Sequence, residues 1–349
     1  MVTGLGDHYL GRPLTAALEQ RLDGATTRRG DQAVLVGSVS LEQVQTATQR
    51  ISQFVRRTPI IEIRDLRWAA PIALKLENLQ ISGSFKIRGA LNRILVDARR
   101  HDRVAAASGG NHGIAVGHAS KQLGVGADVF VPASCSAGKR RLIEASGARL
   151  HVVDGSFTLV DEKCREFAQN SGALYIHPYD DPEVMAGQGT VALEVLEQVP
   201  DVTHILVAVG GGGLAGGIAA ALAGRARVMA VEPEACPTFA KALAAGGPVP
   251  VKVGGVAEDS LGAPMLGEVA FKTLTGVVEN VIMVTDEEIV EAQRSLWELC
   301  RILVEPAAAC GWAALVNQKT PAHGIGRVVA VCCGGNVDPA QIMPQFGQS

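Results

Sequence analysis

The chain lacks the features that mark several protein classes. It has no excess charge of one sign: in 349 residues, 32 Lys and Arg oppose 35 Asp and Glu, for a net charge of −3. Such a balance sets up no basic field to steer nucleic acid. Its basic clusters, Arg56-Arg57, Arg99-Arg100 and Lys139-Arg140-Arg141, are short and read as solvated helix faces. Seven cysteines (135, 164, 236, 300, 310, 332 and 333) are scattered and never spaced CxxC. That excludes a zinc ribbon or a disulfide framework and points to a reducing cytoplasm. The start, Met1-Val2-Thr3-Gly4, lacks the charged-then-apolar pattern of a secretion signal. There is no internal repeat and no low-complexity tract. Only thirteen residues follow Asn336, so no C-terminal regulatory domain is expected.

One uncharged stretch, Ile205 to Gly224, has the length and the GxxxG spacing of a membrane helix. Seven of its twenty residues are glycine, four of them consecutive. These would break a helix, whereas a buried strand, a loop and a buried helix accommodate them. No membrane partner is expected.

The length calls for two domains or one large α/β unit. A composition of 47% hydrophobic and 19% charged residues suits a globular protein with a large buried sheet. Residues 1–38 show no periodicity and are read as an N-terminal extension. Ser40 with Gln43 forms a capping box that starts a helix, and Thr58-Pro59 ends it. Apolar strands and amphipathic helices then alternate. Strands are expected at 72–76, 104–107, 128–131, 149–153, 173–176, 204–209, 228–231 and 327–331. Helices are expected at 84–98, 111–123, 137–145, 157–169, 189–198, 214–223, 286–303 and 306–316. Such alternation implies a parallel sheet covered by helices. Sites in such folds lie beyond the carboxyl ends of the strands.

Four segments at such places carry chemistry. In Ser82-Gly83-Ser84-Phe85-Lys86-Ile87-Arg88-Gly89, small residues allow close approach to a lysine amine that Phe85 can pin against a flat ring. A surface lysine is the ordinary reading, but partial burial would lower its proton affinity, as formation of a Schiff base requires. Gly210-Gly211-Gly212-Gly213-Leu214 lies between an apolar strand and a helix, where backbone N–H groups and the helix dipole can hold a phosphate. By itself this loop equally fits a dinucleotide fingerprint, Gly211-x-Gly213-x-x-Gly216, with Glu232 as the ribose-binding acid. In Ser108-Gly109-Gly110-Asn111-His112-Gly113, Asn111 can bond a ring oxygen, and Ser108 with nearby N–H groups can take a substrate carboxylate. An ordinary helix cap would use the same residues. His112 is read either as a general base or as a structural histidine. In Cys333-Gly334-Gly335-Asn336, the thiol can face a pyridine nitrogen as a weak, neutral partner. Lys86 and the Asn111 loop favour pyridoxal 5′-phosphate (PLP) over a nicotinamide dinucleotide, since an oxidoreductase has no use for them in this order.

With these motifs, Gly187-Gln188-Gly189-Thr190 and Val304-Glu305-Pro306, the chain resembles the serine/threonine dehydratase family of fold-type II PLP enzymes, from about Thr58 to Asn336. The resemblance implies a tryptophan-synthase-β-like fold of two parallel-sheet α/β domains with the cofactor in the cleft between them. Residues 39–97 and 178–349 would form the large cofactor-binding domain and 98–177 the small, substrate-closing one. Lys86 would be the catalytic residue that carries PLP. Phe85 would pack on the ring, Asn111 bond its 3′ oxygen, and Gly210, Gly211, Gly212, Gly213 and Leu214 cradle the phosphate. Cys333 would sit beside the ring nitrogen and Glu305 near the cofactor. Ser108, Gly109, Asn111 and His112 would bind the substrate.

The implied reaction is α,β-elimination from L-threonine or L-serine, releasing a 2-oxo acid and ammonia. A 3-hydroxyaspartate, or β-replacement by a thiol, are the alternatives. Racemases of the group carry a serine where this chain has Gly109, so racemisation is disfavoured. Members that bind a divalent cation pair an acid like Glu232 with an Asp six residues on. Here that residue is Thr238, and no metal is expected. The segment Ala257 to Pro264 is expected at the edge of the site, and the family suggests a homodimer.

Overall fold

The computed structural model describes residues 38–64, 71–97, 100–278, 281–320, 326–340 and 342. The expected N-terminal extension, up to residue 37, lies outside them. Helix α1 (Leu41–Ile51) opens with the capping box: Ser40 accepts from Gln43 N–H, and the Gln43 side chain accepts from Ser40 N–H. It ends at Ile51, well before Thr58-Pro59.

Strands β1 (Ile60–Ile63), β2 (Ile72–Lys75), β7 (Val202–Ala208), β8 (Arg227–Pro233), β9 (Val281–Val284) and β10 (Arg327–Val331) form one sheet in the order β1-β2-β10-β7-β8-β9. All its pairings are parallel except β1 with β2. Strands β3 (Arg103–Ala107), β4 (Gly126–Pro132), β5 (Arg149–Val153) and β6 (Leu174–Tyr175) form a second, all-parallel sheet in the order β5-β4-β3-β6. This is the expected α/β architecture with two sheets. The antiparallel edge strand β1 and the strand β9 were not anticipated. Both are short, and neither alternates polar with apolar residues.

Each strand leads into the helix that carries the next piece of the site. Helix α2 (Lys86–Asp97) follows β2; α3 (Asn111–Leu123) follows β3; α4 (Ala137–Ala145) follows β4; and α5 (Phe157–Ser171) follows β5. Helix α6 (Pro182–Gln198) begins seven residues before the expected Gly189. Asp181 caps it, accepting from Glu183 and Val184 N–H, and Pro182 fits its first turn. The uncharged stretch after Ile205 divides into the end of β7, a glycine loop and helix α7 (Gly213–Leu222). Among the described residues, no helix is long and apolar enough to cross a membrane. Helices α8 (Thr238–Ala245), α9 (Glu258–Leu261) and α10 (Glu268–Leu274) were not anticipated. Helix α11 (Asp286–Cys300) stops three residues before the expected Leu303, and α12 (Pro306–Val316) matches its expected span.

The Gly187-Gln188-Gly189-Thr190 motif is a helix-crossing device. A Cβ at Gly187 would come 2.5 Å from Arg88 O, and one at Gly189 2.5 Å from Gly217 O. Helix α6 thereby lies flush on α2 and α7, the two helices that begin at Lys86 and at the glycine loop.

Candidate active site

Three loops, two of them after β2 and β10 and the third joining α11 to α12, are stitched to one another through their backbones. Phe85 N–H donates to Cys333 O at 3.1 Å, Gly335 N–H to Gly83 O at 2.9 Å, and Glu305 N–H to Gly334 O at 3.0 Å. Gly83 adopts φ +75°, and Ser84 pairs with Gly334 as an isolated bridge. Lys86, Cys333 and Glu305 are thereby fixed relative to one another by main-chain bonds.

The Lys86 amine donates to Pro178 O at 2.8 Å and lies 5.2 Å from the centroid of the Phe85 ring. Burial lowers its pKa to about 8. A fair share of this amine is therefore neutral, and nucleophilic, near neutral pH. The Cys333 thiol is buried, and burial, with the Glu305 carboxylate next, pushes its pKa well above the usual thiol range. It is a neutral group. Asn111 Nδ2 donates to Glu305 Oε2 at 2.6 Å, and its Oδ1 accepts from Asn336 Nδ2 at 2.7 Å. Burial raises the Glu305 pKa to about 7, and the bond from Asn111 partly offsets this.

The glycine loop is shaped by a residue that sequence reasoning missed. A Cβ at Gly211 would lie 2.3 Å from the Tyr179 ring, and one at Gly213 3.1 Å from Tyr179 Cα. A Cβ at Gly210 would come 3.0 Å from Leu261 Cα, and Gly212, the N-cap of α7, sits at φ +86°. No side chain caps this helix, so its first-turn N–H groups remain available to an anion. Tyr179 stands in His177-Pro178-Tyr179-Asp180-Asp181-Pro182, where the only signal was a Pro-rich helix start.

The Asn111 loop lies beside these groups. Ser108 Oγ accepts from Gly110 N–H at 3.2 Å, and a Cβ at Gly109 would meet Cys135 Sγ at 3.1 Å. His112 Nε2 bonds Ile176 O at 2.9 Å, while its buried Nδ1 has no partner. Burial, and then the nearby Lys86 charge, lower its pKa to about 3. It is a neutral imidazole. The segment from Ala257 to Pro264 meets both sides: its Leu261 touches Gly210, and Asp259 pairs with Lys139 of α4 at 2.5 Å.

Glu232 lies apart. Its Oε1 accepts from Thr238 Oγ1 and Phe239 N–H, and its Oε2 from Ala240 N–H, at the start of α8. A carboxylate so engaged has no ribose to hold, which removes support for the dinucleotide reading.

These features fit PLP. An uncapped, glycine-lined helix start suits its phosphate, a depressed lysine its aldehyde, an amide its ring oxygen, and a neutral thiol its ring nitrogen.

Comparison with known proteins agrees. Residues 51–334 match the family described as "Pyridoxal-phosphate dependent enzyme". An L-threonine ammonia-lyase of Geobacter sulfurreducens is 38% identical over 302 residues, spanning 84% of this chain and 75% of that protein. Among solved structures, maize serine racemase superposes with a TM-score of 0.83 at 32% identity, covering 88% of this chain and 97% of that one. A threonine deaminase from T.th. gives a TM-score of 0.80 at 34% identity, covering 86% of this chain and 99% of that one. The chain belongs to the fold-type II pyridoxal-phosphate-dependent enzymes and, within them, to the serine/threonine dehydratase family.

Proposed function

We propose that the protein is an ammonia-lyase that converts L-threonine, L-serine or both to a 2-oxo acid and ammonia. The observation that carries this reading is the Lys86 amine, depressed to about 8 by burial and set against the Phe85 ring among the strand-end loops. PLP, when bound, supplies an aldehyde for a Schiff base and a sink for the electron pair left as the Cα–H bond breaks.

The chain's own groups do the rest. Backbone N–H groups from Gly210 to Leu214 hold the phosphate, and Phe85 covers the ring. Asn111 donates to the ring oxygen. The Cys333 thiol, kept protonated by burial, leaves the ring nitrogen neutral, which favours prompt elimination over a long-lived carbanion. Lys86 would hold the cofactor, and its nitrogen, when free and neutral, would be the base that takes the substrate Cα proton. The Cα proton and the β-hydroxyl are lost together as the elements of water, and the enamine left behind takes up water to give the 2-oxo acid and ammonia. Ser108 and the N–H groups of its loop receive the substrate carboxylate, with Gly109 and His112 completing that wall.

Racemisation, the activity in the name of the maize neighbour, is disfavoured because Gly109 carries no side chain to move a proton, and the space beside it holds Cys135. The cofactor cleft lies between a large unit, 39–97 with 178–349, and a small one, 98–177. A homodimer in the cytoplasm is the proposed working state, and seven unpaired thiols suit that compartment.

The test is a panel of hydroxy amino acids, 3-hydroxyaspartate included, scored for 2-oxo acid release, with added sulfide to detect β-replacement. Lys86→Ala should abolish turnover and the visible absorbance of the bound cofactor. Turnover retained in that variant would refute the assignment.

A further inference from the structure

The loop residue Asn336 lies at the head of a directed chain of amide hydrogen bonds. Its Nδ2 donates to Ser82 O at 2.9 Å and to Asn111 Oδ1 at 2.7 Å. Asn111 Nδ2 then donates to Glu305 Oε2 at 2.6 Å. The direction follows from the first acceptor. A backbone carbonyl can only accept, so Asn336 must turn its NH2 toward Ser82. The second hydrogen of that NH2 then faces Asn111, which must answer with its oxygen. The Asn111 NH2 is thereby turned the other way, with one N–H on Glu305 and one left over.

Glu305 alone would not hold this orientation. Burial raises its pKa to about 7, and a protonated acid donates as readily as it accepts. It would then tolerate the Asn111 amide either way round. Asn336 would not, because a flipped Asn111 would set two NH2 groups against each other.

Two glycines leave room for the chain. A Cβ at Gly83, itself at φ +75°, would come 2.1 Å from Asn336 Oδ1. One at Gly334 would come 2.0 Å from Glu305 Oε2 and 3.1 Å from Asn111 Nδ2. The glycines of two strand-end loops are therefore needed to seat this relay as well as to approach a ligand.

We propose that Asn336 is a positioning residue: it locks the Asn111 amide so that Asn111 offers the cofactor ring oxygen a donor, whatever the state of Glu305. The inference rests on the PLP reading of the site. Asn336 touches neither cofactor nor substrate in this role and acts through Asn111.

The experiment compares Asn336→Asp and Asn336→Leu, each alone and in an Asn111→Ala background. Asp has the size of Asn but cannot donate; Leu keeps the bulk without polarity. Readouts are the PLP dissociation constant, from titration of the apoprotein, and the visible band of the bound cofactor. With Asn111 present, both substitutions should weaken PLP on the order of tenfold and shift the band. In the Asn111→Ala background, the same substitutions should change affinity less than about twofold, the mark of acting through one partner. Unchanged affinity and band in Asn336→Asp, or equal weakening in both backgrounds, would overturn the proposal. Asn336→Asp decides if the Leu variant does not fold. If the unsubstituted protein binds no PLP, the reading of the site fails instead, so the two failures are distinguishable.

Discussion

Lys86 holds a conflict that the fold resolves. A lysine prefers water and a proton, yet this one lies half-buried with its amine on Pro178 O. Burial lowers its pKa to about 8, so the neutral form grows from about a tenth near pH 7 to about nine-tenths near pH 9. Only the neutral amine attacks an aldehyde. The rate at which apoprotein captures PLP should therefore rise through about pH 8 and then level off, as followed by growth of the visible band. A rate that is flat from about pH 6.5 to 9.5 would remove the depressed amine from the account. Lys86, Asn111, Cys333 and the glycines were legible in the sequence because each stands in a small-residue loop after an apolar strand. Tyr179 was not, because its role is to fill the space that Gly211 and Gly213 leave open, and a shape relation between distant segments writes no local pattern. Asn336 was visible within its motif, but its partners, Ser82 and Asn111, lie 254 and 225 residues away.

At the scale of elements, the strand and helix ends were legible where a cap or an apolar run marked them. Helix α3 and helix α12 keep their expected bounds; β1 and β9, at opposite edges of the large sheet, left no alternation to read. Two elements carry testable consequences. The glycine loop tolerates no side chain opposite Tyr179. In Gly211→Ala the new methyl would meet that ring at 2.3 Å, and the loop must move to relieve it. A shift of that size should lower turnover on the order of a hundredfold, with PLP affinity falling alongside. Wild-type kinetics would show that the loop is not held by Tyr179. The first turn of α2 is anchored differently. Arg88, fully buried two residues after Lys86, forks onto Glu77 at 2.7 and 2.8 Å and reaches Glu194 at 2.7 Å. Glu194 is shared with the buried Lys75. Arg88→Met would leave the buried Glu77 with no cation on it and only the Thr58 hydroxyl as a partner, so unfolding in urea should reveal a loss of about 3–5 kcal/mol. A loss below about 1 kcal/mol would mean that Glu77 finds another partner.

The described residues form two principal cores, and helix α2, which belongs to the second, begins where they meet. Its apolar face, Ile87, Ala90, Leu91 and Ile94, packs with Ile114, Val116 and Val129 of the second sheet's core. The residue just before it, Phe85, packs instead on the core of the six-stranded sheet, and its N–H donates to Cys333 O. Lys86 thus stands where the two cores join, and the Lys139–Asp259 ion pair crosses the same line. That pair is worth little by itself, because Asp259 is 79% exposed. A ligand that grips Lys86, the Asn111 loop of the second sheet and the glycine loop of the first is the stronger tie. PLP bound at about a hundred times its dissociation constant contributes about 2.7 kcal/mol to a state that binds it and nothing to one that does not. For a chain of 349 residues that should raise the melting temperature by roughly 3–5 °C. The form of the transition should change as well. Without PLP the two cores are coupled through α1 and α6, whose residues enter both, and calorimetry should resolve a broad or double endotherm. With PLP both cores must open to release the same ligand, so the endotherm should sharpen toward a single one. Lys86→Ala, which cannot bond the cofactor covalently, should keep the broad form with or without added PLP. A raised melting temperature with the broad or double form unchanged would show that the cofactor bridges nothing, and would place its phosphate and ring sites within one core.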